Sequence, residues 1–379
     1  MIEYLSGLKT TLHHTVLGQF PLLERAVFQL IDFLTGPVTG LGTRLHWFAI
    51  LEALGLAAVV YLTGRQVRPS GGWRGFIRYC FPKELYTHAS AIVDYQLAIL
   101  NTCFGFFFNV TWRLNTVVFT TLYLSWLVAL FGPAPHASAW TTSTLIGATV
   151  LILLAEDLSN YTFHYLNHKI PMLWQLHKVH HSAEVLTPLT AFRTHPLEYA
   201  LAGAWRSMFS SLAIAPLIYF FTGPPSTLEI FGIAATVVFV GGLGTILQHS
   251  HIWVSFGRTM DHIICGPALH QVHHSQAPHH WDRNFGVIFS FWDWMFGTLV
   301  IPDAPEKLVL GLAGETRQPH GNAIAAWCLP FWEMVPFRHK IVDMLAWVFG
   351  PAARGLAERM NLVRPMAESH DSVDPAVRS

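Results

Sequence analysis

The sequence predicts an all-α protein that passes several times through a membrane and carries a histidine-rich cap on the cytoplasmic face. Of its 379 residues, 52% are hydrophobic and only 12% are charged, whereas a soluble domain carries roughly 25% charged residues. Several apolar runs approach the roughly 20 residues that a helix needs to cross a bilayer. The formal net charge is zero and no basic patch is interleaved with aromatic residues, so a nucleic acid is not an expected partner.

The first 143 residues are predicted to form an N-terminal membrane region. Residues 20–38 are apolar but are interrupted by charges, which favours a helix lying along the membrane interface. Residues 47–63 are long enough to cross, and the arginine-rich loop that follows them is predicted to be cytoplasmic by the positive-inside rule. Residues 91–113 contain polar side chains and are predicted to lie partly along the interface, while residues 114–131 cross.

Residues 144–302 are predicted to form the catalytic domain. Residues 144–155 lead the chain back to the cytoplasmic edge, and the apolar runs 197–221 and 230–247 are predicted to form a hairpin that returns to that same face. Four crossings and one or two interfacial helices are expected in all. The aromatic run 283–303 is predicted to lie along the membrane, with a further crossing as the alternative, and residues 303–379 to form a cytoplasmic segment with a disordered tail.

Five histidines fall between residues 164 and 181, in the patterns HYLNH and HKVHH. Residues three and four apart share one face of a helix, so each pattern presents its imidazoles on one side. Pro171 lies between the patterns and predicts two helices that meet at a bend. The bend would turn both imidazole faces toward one point. The five are His164, His168, His177, His180 and His181.

A second histidine pattern, HQVHHS, repeats the spacing of HKVHHS and again follows a proline. It contains His270, His273 and His274. Imidazole is a common ligand of zinc, copper, iron and nickel, and eight imidazoles exceed what one ion can bind, so two metal ions are predicted. His249 and His251, at the end of the hairpin, are candidates for completing the ligand set.

Imidazoles bound to a metal usually donate their second N–H to a carboxylate or a carbonyl. Candidates for this supporting role are His195, Asp157, Asp261, Asp282, Asn284 and Glu198. Helix capping is the competing interpretation for the carboxylates, and His195 is also a possible ligand. Local hydrogen bonding is predicted for His279 and His280.

The order of the motifs HYLNH, HKVHHS, HSH, HQVHHS, NFG and WDWMFGT resembles the integral-membrane fatty acid hydroxylase and sterol desaturase superfamily over roughly residues 157–302. The resemblance implies a diiron centre of two iron ions, held by the eight histidines of the three main motifs together with His249. It implies an oxygenase that uses O2 and two electrons to hydroxylate, desaturate or demethylate a sterol, a fatty acyl chain or a related lipid. Tyr165 and His251 depart from the residues common in that family.

The sequence contains no cytochrome b5-like domain, flavin fingerprint or CxxC cluster, so a separate ferredoxin, cytochrome or reductase is expected to supply electrons. The predicted location is a bacterial inner membrane, with the histidines on the cytoplasmic side. Two alternatives remain open, a non-oxidative metal-binding membrane protein and a haem b electron carrier. The first would place polar groups across the bilayer midplane, and the second would place single histidines on facing helices.

Overall fold

The computed structural model describes residues 47–64, 72–135, 139–221, 228–230, 233–315, 318–336, 338–360 and 362. The interfacial helix predicted in residues 20–38, the beginning of the arginine-rich loop and the polar tail after residue 362 lie outside the described residues.

The described chain is built from helices. The first seven are α1 (Trp47–Thr63), α2 (Gly72–Cys80), α3 (Lys83–Tyr86), α4 (Ala89–Phe131), α5 (Thr142–Lys169), α6 (Pro171–His181) and α7 (Pro196–Phe220). The others are α8 (Ala235–Gly242), α9 (Pro267–His273), α10 (Phe291–Phe296), α11 (Ala323–Glu333), α12 (Arg338–Phe349) and α13 (Pro351–Arg359). The only strands within these residues are Glu229–Ile230 and Ile233–Ala234, which pair antiparallel, so the predicted all-α class is confirmed.

Within the described ranges, three helical segments are long and apolar enough to cross a membrane: Leu114–Phe131 in α4, the whole of α5 and the whole of α7. The chain is therefore an integral membrane protein. α7 packs against both α4 and α5. Small hydroxyl side chains bring α4 and α7 together, since Thr116 donates to Ser207 at 3.2 Å and Thr120 to Ser211 at 3.0 Å.

The predicted crossing at residues 114–131 agrees with an apolar span at Leu114–Phe131, and the predicted interfacial half belongs to the same continuous helix of 43 residues, α4. Two of its polar residues, Asp94 and Asn101, are hydrogen-bonded to partners far away in the chain. Asp94 accepts hydrogen bonds from Arg193 at 2.9 Å and from Thr190 at 2.6 Å, and Asn101 donates to the carbonyls of residues 192 and 194. These contacts fix the first half of α4 to the segment that follows the histidines of α6.

The apolar run 230–247 is not the single crossing helix that the sequence predicts. Its helical part is only α8, eight residues long. Gly244 has a positive φ of 71°, a conformation that glycine adopts readily, and it precedes a 3₁₀ turn at Thr245–His249. A Cβ at Gly244 would lie 2.7 Å from Leu56 of α1. The chain therefore turns tightly against α1 and brings His249 toward the other histidines.

The predicted bend between the first two histidine patterns is confirmed. α5 ends at Lys169, and Pro171 occupies the first turn of α6. Proline has no N–H to donate there, so it interrupts α5 at no cost to α6. Pro267 begins α9 in the same manner.

Candidate metal centre

Four elements bring nine histidines to one place. α5 carries His164 and His168, and α6 carries the three histidines of HKVHH. His249 ends a 3₁₀ turn, and α9 with its C-cap carries the three histidines of HQVHH. All nine side chains are buried.

The nine histidines form two adjoining clusters, in each of which the possible ligand atoms lie within 4.8 Å of one another. The first cluster is His164, His168, His177, His181 and His273. The second cluster is His180, His249, His270 and His274. His180 and His181 are consecutive, and the rings of His181 and His274 stack at 4.8 Å, so the two clusters are in direct contact.

The spacing of the nitrogens fits metal coordination better than hydrogen bonding. Nε2 of His181 lies 3.1 Å from Nε2 of both His168 and His273. In the second cluster, Nε2 of His249 lies 3.1 Å from His180 and 3.0 Å from His270. A neutral imidazole has one N–H, so rings that converge through the same nitrogen cannot all be satisfied by one another. Two nitrogens bound at about 2.1 Å to one ion at right angles would lie about 3.0 Å apart, which matches these separations.

Unpartnered nitrogens in the first cluster support the same interpretation. Nε2 of His164 and Nε2 of His177 are buried and have no hydrogen-bond partner among the described residues. The other ring nitrogen of each is held: Nδ1 of His164 lies 2.9 Å from the carbonyl oxygen of Phe285, and Nδ1 of His177 lies 2.7 Å from Oε1 of Glu198. Since a carbonyl only accepts, Nδ1 of His164 carries the proton, and its Nε2 lone pair is free to bind a metal.

Two further histidines of the first cluster are held in the same way. Nδ1 of His273 lies 2.7 Å from the carbonyl oxygen of Arg283. Nδ1 of His168 lies 3.3 Å from Oδ1 of Asp282, whose other oxygen accepts from Lys169 at 2.7 Å. Four of the five imidazoles in this cluster therefore have an oxygen acceptor close to Nδ1.

Three imidazoles of the second cluster lack this support among the described residues. The Nδ1 atoms of His180, His270 and His274 are buried and have no hydrogen-bond partner among the described residues. No carboxylate is paired with these three imidazoles in the part of the chain that the structure describes. The two clusters therefore offer chemically different environments to two ions.

Five clustered imidazoles outside the membrane-spanning helices have a pKa that favours their neutral form. Burial, reinforced by the neighbouring imidazoles, lowers the pKa of His180, His181, His270 and His274 well below 6.5. Burial lowers the pKa of His273 to about 3, although its hydrogen bond to the Arg283 carbonyl opposes the shift. Neutral imidazoles present lone pairs, as metal ligands must.

Buried carboxylates outside the clusters shape the loop that supplies the carbonyls. Asp293 accepts from the backbone N–H groups of Phe285 and Gly286 at 2.8 and 2.7 Å. Asp157 accepts from Ile288 and Phe289, both at 3.0 Å. These bonds fix the loop after α9 and thereby direct the carbonyl oxygen of Phe285 toward His164.

Other predicted site residues lie outside the two clusters. Nε2 of His251 is 2.7 Å from the carbonyl oxygen of Tyr79. His195 caps α7 through Leu197 N–H and contacts the carbonyl of Trp327. Asn284, in a left-handed conformation with φ 56°, bonds the backbone at residues 269 and 300. Asp261 binds Ser255 and the backbone of residue 256.

The sequence did not indicate the two carbonyl groups that hold His164 and His273, because every residue has a carbonyl. The one available signal was the NFG and WDW motifs, which carry Phe285 and Asp293. Without the folded structure, neither motif shows that main-chain carbonyl groups orient the histidines.

All four cysteines are free thiols. Cys80 and Cys265 are buried, whereas Cys103 and Cys328 are exposed on their helices. Burial raises the pKa of the Cys80 thiol to about 11, which makes it a poor metal ligand.

Residues 149–298 match the fatty acid hydroxylase family. This region contains all nine clustered histidines and both buried carboxylates that shape the loop. A comparison with solved structures found no match.

Curated relatives include enzymes that act on several lipids. The chain is 32% identical over 180 residues to an alkylglycerol monooxygenase of Danio rerio, which covers 47% of this chain and 34% of that protein. It is 27% identical over 184 residues to an ornithine lipid hydroxylase of Rhizobium tropici, covering 48% of this chain and 51% of that protein. It is also 27% identical over 169 residues to a Delta(7)-sterol 5(6)-desaturase of Aspergillus fumigatus, covering 42% of this chain and 50% of that protein. The matches thus span between about a third and half of these relatives.

The fold and the site together define an integral membrane protein with two buried histidine clusters that could hold metal ions. Residues 149–298 thus resemble the fatty acid hydroxylase family, and the chain is similar to lipid hydroxylases and a sterol desaturase over less than half of its length.

Proposed function

We propose that this protein is a membrane-bound diiron oxygenase that hydroxylates a C–H bond of a lipid, with O2 as the oxidant and electrons from a separate protein. The observation that carries the proposal is the convergence of buried imidazole nitrogens at 3.0–3.3 Å in two adjoining clusters. The relatives named as monooxygenase and hydroxylase supply the type of reaction.

Iron is the metal that best fits both the imidazole clusters and the hydroxylation reaction of the relatives. Neutral imidazoles suit zinc, copper, nickel and iron alike, so the donor set alone does not choose. Zinc has no redox chemistry, whereas hydroxylation with O2 requires a metal that changes oxidation state. Bound iron would supply the activation of O2 and the abstraction of hydrogen from the lipid.

The chain's own residues would position two ions. The first cluster would hold one ion, and Glu198, Asp282 and the carbonyls of Phe285 and Arg283 would fix the orientation of its imidazoles. The second cluster would hold the other ion through four imidazoles. With four imidazoles rather than five, the second cluster would leave its ion the less fully ligated of the two. His251 is the weaker candidate for a ligand, since its Nε2 is engaged by Tyr79.

The proposed catalytic domain covers residues 144–302, which include the crossing helix α7, most of the crossing helix α5 and the elements that carry the nine histidines. Its short helix α10 exposes the aromatic and sulfur side chains of Trp294, Met295 and Phe296 by 56–65%. Exposed side chains of this kind suit the boundary between lipid headgroups and acyl chains. Lipid would approach from the bilayer, and the electron donor, a ferredoxin, cytochrome or reductase, from the aqueous side. The arginines of α2 support our proposal that this side is cytoplasmic. The membrane that we propose is a bacterial inner membrane.

The alternatives fit the geometry less well. Imidazoles whose nitrogens lie about 3 Å apart leave no room for a porphyrin between them, which disfavours a haem b carrier. The histidines are concentrated at one end of α5 rather than spread along the spans, which disfavours a path for metal transport.

The test is a mass-spectrometric comparison of lipid extracts from cells that express the intact protein, the His273→Ala variant or neither. Growth under isotopically labelled O2 would mark each inserted oxygen atom. The proposal predicts a lipid that gains one labelled oxygen only with the intact protein. A lipid that instead loses two hydrogens would make the protein a desaturase, and no change in any suitable host supplied with donors would contradict an oxygenase.

A further inference from the structure

A third group of metal-ligating side chains lies outside the nine-histidine centre. It consists of His279, His280 and Glu306, each with one ligand atom within 4.8 Å of the others. His279 and His280 belong to the 3₁₀ turn Pro278–His280 that follows the second cluster, and Glu306 comes from the segment after α10. His280 is buried, whereas His279 and Glu306 are exposed.

The buried imidazole of His280 is incompletely satisfied. Only 2% of the residue is exposed, and its Nδ1 has no hydrogen-bond partner among the described residues. Its Nε2 lies 3.7 Å from Oε2 of Glu306, which is too long for a hydrogen bond. Two atoms bound to one ion at about 2.1 Å would be separated by this distance at an angle of about 120°, between tetrahedral and trigonal geometry.

The third ligand, His279, lies beside His280, and hydrogen bonds hold the backbone around the group. The rings of His279 and His280 lie 4.0 Å apart. The two segments that carry the ligands are joined by a hydrogen bond from Gln276 N–H to the Val309 carbonyl at 2.9 Å, and by one from the Gln276 side chain to the Leu310 carbonyl at 2.8 Å. Binding an ion would therefore require only rotation of exposed side chains.

A cavity of about 330 Å³ adjoins the group. It is lined by residues 275–277 and 306–309, including Glu306 itself. The cavity gives space for water molecules to complete the coordination of an ion that takes only three ligands from the protein.

We propose that His279, His280 and Glu306 form a third metal site, which binds a divalent transition ion and is best suited to Zn²⁺. Two imidazoles and one carboxylate, with a remaining position for water, form a donor set typical of zinc. Two of the three ligands are exposed and must be ordered on binding, so this site binds more weakly than the nine-histidine centre. The proposal is independent of the oxygenase activity proposed above.

The position of the site links it to the main centre. The turn that carries His279 and His280 continues directly into Asp282 and Arg283. Those residues hold Nδ1 of His168 and Nδ1 of His273. An ion bound at the third site would restrain this loop and so stabilise the orientation of two imidazoles of the first cluster.

The experiment uses the full chain in detergent, loaded with iron and freed of loosely bound metal by a chelating resin. Zn²⁺ alone is added by equilibrium dialysis, and zinc and iron are both quantified. The intact protein is expected to take up one further equivalent of zinc with no loss of iron. Glu306→Gln and His279→Ala alter exposed residues that the fold does not need, and each is expected to weaken zinc binding by more than about tenfold.

Lys307→Ala is the matched control, because Lys307 lines the same cavity and is not a ligand. Removing its positive charge is expected to leave zinc binding unchanged or to tighten it. Identical zinc isotherms for the intact protein, Glu306→Gln and His279→Ala would overturn the proposal. Zinc uptake matched by an equal loss of iron would also overturn it, because the zinc would then occupy the nine-histidine centre.

Discussion

Nδ1 of His177 lies 2.7 Å from Oε1 of Glu198, and both side chains are buried. The same carboxylate oxygen accepts from the amide of Asn167 at 3.1 Å. Glu198 therefore connects α5, α6 and the first turn of α7 at one point. The contact leaves Nε2 of His177 directed into the first cluster, where it has no hydrogen-bond partner in the part of the chain that the structure describes.

Glu198→Gln is expected to weaken metal retention at the first cluster by about 10- to 100-fold, the usual cost of losing a carboxylate behind a ligand imidazole. The amide keeps the shape of the side chain but removes its charge. The measurement is iron content after dialysis against graded chelator. Glu184→Gln, at an exposed position close in the sequence, should behave as the intact protein; equal losses in the two variants would contradict a specific role for Glu198.

His249 and His251 provide a paired test of the second cluster, because they are separated by one residue but lie in different surroundings. His249→Ala removes one of four clustered imidazoles and is expected to lower the iron content by about one ion per chain. His251→Ala breaks a contact with the Tyr79 carbonyl and is expected to retain both ions. Loss of iron in His251→Ala but not in His249→Ala would identify His251, rather than His249, as the ligand.

Gly286→Ala is expected to destabilise the loop that holds His164. An added Cβ would lie 2.6 Å from the Phe289 carbonyl oxygen and 2.8 Å from Oδ2 of Asp293, so the backbone must shift. The expected results are a lower unfolding temperature in detergent and weaker iron retention. Gly147→Ala is the control, because nothing lies within 4 Å of its Cβ and alanine favours a helix by about 0.5–1 kcal/mol. A tolerated Gly286→Ala would show that the loop is not tightly packed.

Arg193→Ala is expected to reduce the free energy of unfolding by about 3–5 kcal/mol, because it leaves Asp94 buried without its charged partner. The arginine is 1% exposed, and it also donates to Val179 and Ser182 at the end of α6. Chemical unfolding in mixed micelles would measure the change. Arg258→Ala removes an ion pair whose members are 75% and 91% exposed and should cost less than about 1 kcal/mol. Equal effects of both substitutions would contradict the structural role of Arg193.

The sequence predicted the features that depend on local chemistry. The helical class follows from apolar runs, and the bend at Pro171 follows from a proline in the first turn of α6. The grouping of the histidines follows from their spacing on helices. The assignment of each histidine to an ion remains a prediction.

The features that the sequence did not predict depend on distant partners. Asp94 and Asn101 suggested a helix at the interface, whereas Arg193 and two backbone carbonyls satisfy them inside the protein. The run 230–247 suggested a crossing by its hydropathy alone, but its glycines end α8 and allow the turn at Gly244. The division of nine histidines into five and four could not be read from spacing, because His180 and His181 are adjacent yet belong to different clusters.

The most direct test of the central claim is the iron content of the purified full chain, with Mössbauer spectroscopy of isotopically enriched iron to report its ligands. The account predicts roughly two iron ions per chain in nitrogen-rich surroundings, and loss of iron in His273→Ala. A folded protein that binds one iron ion or none under iron-replete expression, or that shows the Soret band of a haem, would contradict it.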